Sequence, residues 1–428
     1  MGKGILMYET TLSPDTKNRL KEIGRADVVV GIPSHRNGRT IPEVMRAIAK
    51  GLTHYLLGQR VVLMNADGGS SDNTTRHVAE APVPPNVSKL VTTYEGVMGK
   101  GTAIRSIFEA SAELQAKACV IIEARAPGIE PRWLQALIDP VLEGYDMALG
   151  YYQRSAYAAS LTDNLAYPFA RTFFNIHLRE PLANEFCVSG ELAEDLAGKD
   201  VWETDVARFG LNVWVSFQTL LEGRNVVQVD LGYRGDPSGE PGALSDPRIM
   251  HTVGTMFRFL TIHEKVWQRN PRAIQVPFYG ERTTDRLIET GDCVGALVAA
   301  MGYGKRHYKT EWKRILEPNT LRTVLALPDQ PPEALEIGPE LWATIVSEFA
   351  VSYNKGEGDP DKVVESFLPL FYGRAATYVR HTHHLTPMQR EAAVEEVVQT
   401  FMNIKPLFLD LWNRYQPWMD ISERRPDR

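Results

Sequence analysis

The chain has 428 residues, 43% of them hydrophobic and 23% charged, and carries a formal net charge of −6. That length holds two or three domains, the composition is that of a soluble globular protein, and the negative balance gives no sign of a nucleic-acid partner, so any anionic ligand needs a local basic cluster. Cys119, Cys187 and Cys293 are too few and too scattered for a disulfide framework or a zinc site, and no stretch approaches the roughly 20 apolar residues that span a bilayer. The opening "MGKGILMYETTLSPDTKNRL" lacks the apolar core of a signal peptide, and a cytoplasmic setting is expected.

Taken in chain order, residues 1–24 read as an N-terminal extension. "ADVVVGIPS" (26–34) is a continuous apolar run closed by Pro33, the pattern of a strand covered on both faces. Thr40 is a plausible cap for a helix with Pro42 in its first turn and Val44, Ile48 and Leu52 at helical spacing. "RVVLMNAD" (60–67) is the next strand, and "GGSSDNT" (68–74) a turn feeding another helix. "KLVTTY" is a weaker third strand, a helix starts near Gly101, "ACVIIEA" is the fourth strand and "MALGYY" (147–152) a fifth. Strands separated by helices of this length predict right-handed crossovers and a mainly parallel sheet. After residue 150 the rhythm loosens until "NVVQVDLGYRGD" (225–236), one more strand, and from about 250 onward the pattern is helical. The expected division is an α/β domain over 25–260 and a helical C-terminal domain over 261–428.

Ligands of open α/β sheets sit at the carboxyl ends of the strands, so the residues that end each apolar run are the candidates. Pro33, Ser34, His35, Arg36 and Asn37 end the first strand. The turn Asp67-Gly68-Gly69-Ser70-Ser71-Asp72-Asn73-Thr74 ends the second, where it either holds a base or ribose by hydrogen bonds or is simply a capped strand–helix turn. Gly99-Lys100-Gly101 places a lysine between two glycines at a helix start, where backbone N–H groups and the helix dipole favour an anion. The spacing fits neither a phosphate-binding P-loop nor a dinucleotide fingerprint. "RHTHHL" (380–385) is expected at a surface helix boundary, and Trp312, Trp342, Trp412 and Trp418 in a helical core or an oligomer contact.

In order and spacing, Pro33-Ser34, the Asp67 turn, Gly99-Lys100-Gly101 and the strand ending at Glu123 together resemble a GT-A-fold (Rossmann-like) nucleotide-sugar glycosyltransferase. "REPLANEFCVSGEL" (179–192) and the tail "FLPLFYGRAATYVRHTHHLTPMQREAAVEEVVQTFMNIKPLFLDLW" resemble segments of the retaining enzymes related to glucosyl-3-phosphoglycerate, mannosylglycerate and glucosylglycerate synthases. The resemblance implies a hexose donor carried on UDP or GDP, a small hydroxylated, glycerate-like acceptor, a homo-oligomer, and Glu185 on the acceptor side. It also exposes departures. The family's metal-binding aspartate pair falls on Glu123 and Arg125, its metal-binding histidine on Asp236, and an active-site acid on Asn212. Guanidinium and ammonium groups can clamp diphosphate oxygens by charge-assisted hydrogen bonds. The expectation is therefore a site that uses no metal cofactor, with Arg125, Lys100 and Arg234 as its positive end. The alternative is Mn2+ or Mg2+ held by Glu123, Asp236 or His251. A non-catalytic nucleotide-sugar-binding relative is the second functional reading.

Overall fold

Strands of two to eight residues build the sheets of a computed structural model that describes residues 10–235, 241–243, 246–282, 288–356 and 358–415. In chain order they are β1 (Val28–Ser34), β2 (Val61–Asp67), β3 (Val87–Thr93), β4 (Ala118–Ile121), β5 (Met147–Gln153), β6 (Ile176–His177), β7 (Phe186–Ser189), β8 (Val226–Tyr233), β9 (Ile274–Gln275) and β10 (Phe278–Tyr279). Eight of them form one sheet in the order β10-β8-β5-β7-β4-β1-β2-β3. The pairs β1–β2, β2–β3, β1–β4 and β8–β10 are parallel. The α/β expectation, a mainly parallel sheet with a helical C-terminal region, is met.

Burial explains the strand compositions. Every residue of β1 and β2 is buried, as their unbroken apolar runs require of strands covered on both faces. β3, at the edge, buries Val87 and Leu90 and leaves Ser88 and Thr93 exposed. The helix Ile41–Tyr55 covers the sheet with Ile41, Val44, Met45, Ile48 and Leu52. Its Pro42 sits in the first turn as expected, but Thr40 makes no side-chain cap bond. The Thr40 hydroxyl donates to the carbonyl of Ala124 instead, at 2.9 Å, and so ties the helix start to the loop after β4. The helix Lys100–Glu113 packs so closely on β1 that a Cβ at Gly31 would lie 2.4 Å from Ile107 Cγ2.

Two features of this topology position a site. The chain lays down β1, β2 and β3 outward, then returns to β4 on the other side of β1, and such a reversal opens a crevice at the carboxyl ends. β7 is too short to stand out in the sequence. It enters antiparallel between β4 and β5, with Phe186 opposite both Ile121 and Leu149. Residues just before β7 therefore share a rim with residues just after β4 and β5.

The compact units are Met1–Tyr152 with Leu182–Gly235 and Val276–Thr283, and Gln153–Pro181 with Asp236–Gln275 and Thr284–Arg428. The second unit is built on the long helices Pro339–Lys355, Pro360–Thr382 and Pro387–Arg414, with a small β6–β9 ribbon. Trp312, Trp342 and Trp412 are buried in it, whereas Trp418 lies outside the described residues. The histidines of "RHTHHL" fall where the helix Pro360–Thr382 ends, with His381, His383 and His384 exposed. Among the described residues no helix is long and apolar enough to cross a membrane.

Candidate functional site

The end of β2 and the end of β1 are locked together. Ser34 Oγ donates to Asp67 Oδ1 at 2.7 Å and accepts from Asn65 Nδ2 at 2.8 Å. The second Asp67 oxygen takes the amide of Ser70 at 2.6 Å, which closes the turn as a side-chain-capped loop. Pro33 is buried within β1, and Arg36, with a φ of 54°, donates its amide to Ser70 Oγ at 2.8 Å. Asn37 and Gly38 donate their amides to Thr74 Oγ1 and Asp72 Oδ2. The two loops that follow β1 and β2 thus form one hydrogen-bonded ledge.

The Lys100 loop adjoins that ledge through Tyr94. The Tyr94 hydroxyl accepts the Gly99 amide at 3.1 Å, and a Cβ on Gly68 would stand 3.1 Å from the same oxygen. The glycines on either side of Lys100 have a packing reason. A Cβ at Gly99 would lie 2.3 Å from the carbonyl oxygen of Ala207, and one at Gly101 would lie 1.9 Å from that of Val206. The Gly101 amide already donates to the Arg208 carbonyl at 3.0 Å. The helix start is therefore held against 206–208, and what it presents to a ligand is the Lys100 side chain.

That side chain belongs to a charged cluster. Lys100 Nζ donates to Glu123 Oε1 and, at 3.1 Å, to Asn184 Oδ1. Arg234, just beyond β8, sends Nη2 to Glu123 Oε2 at 3.0 Å and Nη1 to Glu185 Oε2. Its guanidinium stands 5.1 Å from the ring centroid of Tyr152, whose hydroxyl donates to Glu185 Oε2 at 2.5 Å and accepts the Glu185 amide at 3.0 Å. Burial alone would raise the Glu123 pKa, but the Lys100 and Arg234 charges outweigh it and hold the carboxyl below the usual range. Burial and the neighbouring Glu185 push the Tyr152 phenol well up. Burial opposes the charge on Arg234, yet Glu185, Tyr152 and Glu123 more than compensate and fix it as a cation.

Asn212, in the first turn of the helix Leu211–Leu221, donates Nδ2 to Asn184 Oδ1 at 2.8 Å. Among the described residues, its Oδ1 and the Oε1 of fully buried Glu185 have no hydrogen-bond partner. Two buried acceptors without donors are unusual in a native fold and suit a ligand that brings hydroxyl groups.

Of the residues singled out from sequence, Lys100, Glu123, Glu185, Asn212 and Arg234 come together, and Pro33, Ser34, Arg36 and Asp67 form the adjoining ledge. Arg125 is half-buried in the loop two residues beyond Glu123. Asp236 lies outside the described residues, and His251 is on the helix Pro247–Ile262 of the second unit. Sequence reasoning passed over Tyr152 and Asn184. Tyr152 ends a predicted strand on the rim, and Asn184 adjoins Glu185, so proximity to a strand end was the signal available for both.

No protein-family model matches the chain, and no curated protein matches it. Among solved structures, glucosyl-3-phosphoglycerate synthase from Mycobacterium tuberculosis with phosphoglyceric acid is similar at 19% identity and a TM-score of 0.44, over 57% of this chain and 83% of that one. The same enzyme with Mg2+ and uridine diphosphate gives 18%, 0.42, 57% and 83%. With Mn2+ and UDP-glucose it gives 18%, 0.42, 57% and 82%. The expectation that the site uses no metal cofactor is corrected at this point, because those similar structures hold Mg2+ or Mn2+ with the nucleotide. Among the described residues no group of three or more His, Cys, Asp or Glu side chains is placed to hold a metal ion, and Glu123 gives both oxygens to Lys100 and Arg234. Chelator titration with Mn2+ restored afterwards reads the requirement directly.

Proposed function

We propose that the chain is a glycosyltransferase that moves a hexose from a UDP- or GDP-sugar to a small hydroxylated, glycerate-like acceptor with retention of configuration. The observation that carries this reading is a convergence. The Ser34–Asp67 ledge, Lys100, Glu123, Glu185, Asn212 and Arg234 meet at the carboxyl edge of the sheet, around the reversal in strand order. In this reading Pro33, Ser34, Arg36 and Asp67 hold the nucleoside, and Lys100 with Arg234 and Arg125 faces the diphosphate. Fixed cations there stabilise the charge that develops on the leaving group. Glu185 and Asn212 face the hydroxyl groups of the sugar and acceptor. The amide of Asn212 is neither nucleophile nor general base, which suits departure and attack on one face of the sugar, with the leaving phosphate taking the acceptor proton.

Calorimetry with UDP, GDP and their hexose conjugates tests the reading, with binding expected in the micromolar range. No heat from any of them at millimolar concentration would remove it. One observation favours a non-catalytic nucleotide-sugar-binding relative instead: both cluster cations are already matched by carboxylates. Binding without transfer or hydrolysis across a panel of hydroxy-acid acceptors would select that second reading.

A further inference from the structure

Arg234 has two carboxylate partners, and they are not equivalent. Glu185 is 0% exposed, and its Oε2 also takes the Tyr152 hydroxyl, while its amide donates back to the same phenol oxygen. The Tyr152 ring backs the guanidinium. Removing Glu185 would strand a buried cation, which is strongly unfavourable. Glu123 stands instead on the loop beyond β4 with its side chain 23% exposed, and each of its oxygens meets one cation, Lys100 Nζ and Arg234 Nη2. Those cations come from two different elements, a helix start and a strand end. A carboxylate that bridges two separate cations through two oxygens makes the contacts that two non-bridging oxygens of one phosphate group would make.

We infer that Glu123 is an internal anion occupying a phosphate subsite, displaced from between Lys100 Nζ and Arg234 Nη2 when a ligand phosphate arrives, while Glu185 and Tyr152 stay in place. This rests on the donor-binding reading above and adds a mechanism of selection to it. The partly exposed Glu123 carboxylate can swing to water, whereas the fully buried Glu185 cannot. A singly charged ligand gains little by replacing one carboxylate with another. A group of higher negative charge gains from both cations, so the device favours phosphates and diphosphates over carboxylates and other monoanions.

The test uses the full chain, calorimetry, and inorganic pyrophosphate, UDP and GDP as probes, each with and without Mn2+. Glu123→Gln is expected to bind pyrophosphate about tenfold tighter than the parent protein, since the competing charge is gone. Lys100→Met added to Glu123→Gln is expected to cancel that gain. Acetate is expected to bind neither protein. Unchanged or weaker pyrophosphate binding by a folded Glu123→Gln, as a lost metal-ligating carboxylate would give, overturns the inference, and so does no binding by either protein. Should Glu123→Gln fail to fold, Glu123→Ala and a competition of pyrophosphate against acetate on the parent protein carry the same decision, with equal binding of the two anions overturning it. If pyrophosphate tightens as expected but UDP and GDP add nothing, the inference stands and the glycosyltransferase reading falls. If UDP binds and Glu123→Gln weakens it, the reading stands and the inference falls.

Discussion

At the scale of single residues, the site depends on how one guanidinium is held. Tyr152 supplies a donor to Glu185 Oε2, an acceptor for the Glu185 amide and a ring against Arg234. Tyr152→Phe keeps the ring and removes both hydrogen bonds, leaving a buried N–H and a buried carboxylate oxygen short of a partner. A loss of about 1–3 kcal/mol is expected, read by chemical denaturation, together with several-fold weaker nucleotide binding. A wild-type denaturation curve would show that the phenol is dispensable. Lys100, Glu123 and Arg234 were legible because each adjoins a turn or an apolar run in the sequence. Their mutual pairing was not, since it depends on segments 23 and 111 residues apart in the chain meeting at one rim. Lys100 and Arg234, expected at the positive end, are thus paired with Glu123 and Glu185.

Among the elements, the helix Lys100–Glu113 shows how a short motif can be read for the wrong reason. Glycines around a lysine suggest room for a phosphate, yet here they make room for the backbone of 206–208. Gly101→Ala must push that backbone away or shift the helix start. A cost of about 1–3 kcal/mol is expected, with Lys100 displaced and nucleotide affinity reduced. Gly58, whose added Cβ meets nothing within 4 Å, supplies the control. Gly58→Ala should change stability by less than about 0.5 kcal/mol. Equal effects of the two substitutions in thermal melts would contradict the packing account. β1, β2, β4, β5 and β8 were readable as apolar runs with turns behind them. β7 and β10 escaped because their apolar runs, Phe186–Val188 and Phe278–Tyr279, are too short to separate from a loop, whereas β4 lies in the longer run Ala118–Ile122.

Across the whole molecule, the clearest dependence on pH lies in the helical unit. Glu348, on the helix Pro339–Lys355, is buried and accepts the Glu317 amide at 2.9 Å and the Thr320 hydroxyl at 2.7 Å. It thereby anchors the start of the helix Pro318–Ala326, whose own N-cap side chain makes no cap bond. Burial pushes its carboxyl up from 4.5 to about 7, against the lowering effect of those two hydrogen bonds. The folded state therefore holds this proton more tightly than the unfolded chain does. Stability should be greatest below the unfolded pKa and decline as pH rises from about 4.5 to about 7, by about 3 kcal/mol at most. Hydrogen exchange of the 318–326 amides measures the slope, which Glu348→Gln should flatten. A variant with the parent slope would assign the dependence elsewhere. Nothing in "LWATIVSEFAVSY" marks this glutamate, because its partners come from a neighbouring helix and not from its own.

The reversed direction of β7 has a consequence for how the rim can change. Loops that leave parallel strands can lengthen without disturbing the strand behind them, whereas the segment Leu182–Glu185 arrives at the rim and is then pinned by strand register at Phe186. It has no slack on its downstream side. One residue inserted between Glu185 and Phe186 would carry Glu185 a step away from Tyr152 and Arg234, while the same insertion in the turn after Tyr55, ahead of β2, would leave the cluster untouched. The first insertion is expected to abolish nucleotide binding with the far-ultraviolet circular dichroism unchanged, and the second to leave both as they are. The arriving strand is thus the part of this sheet least tolerant of length variation, and specificity there can drift only by substitution.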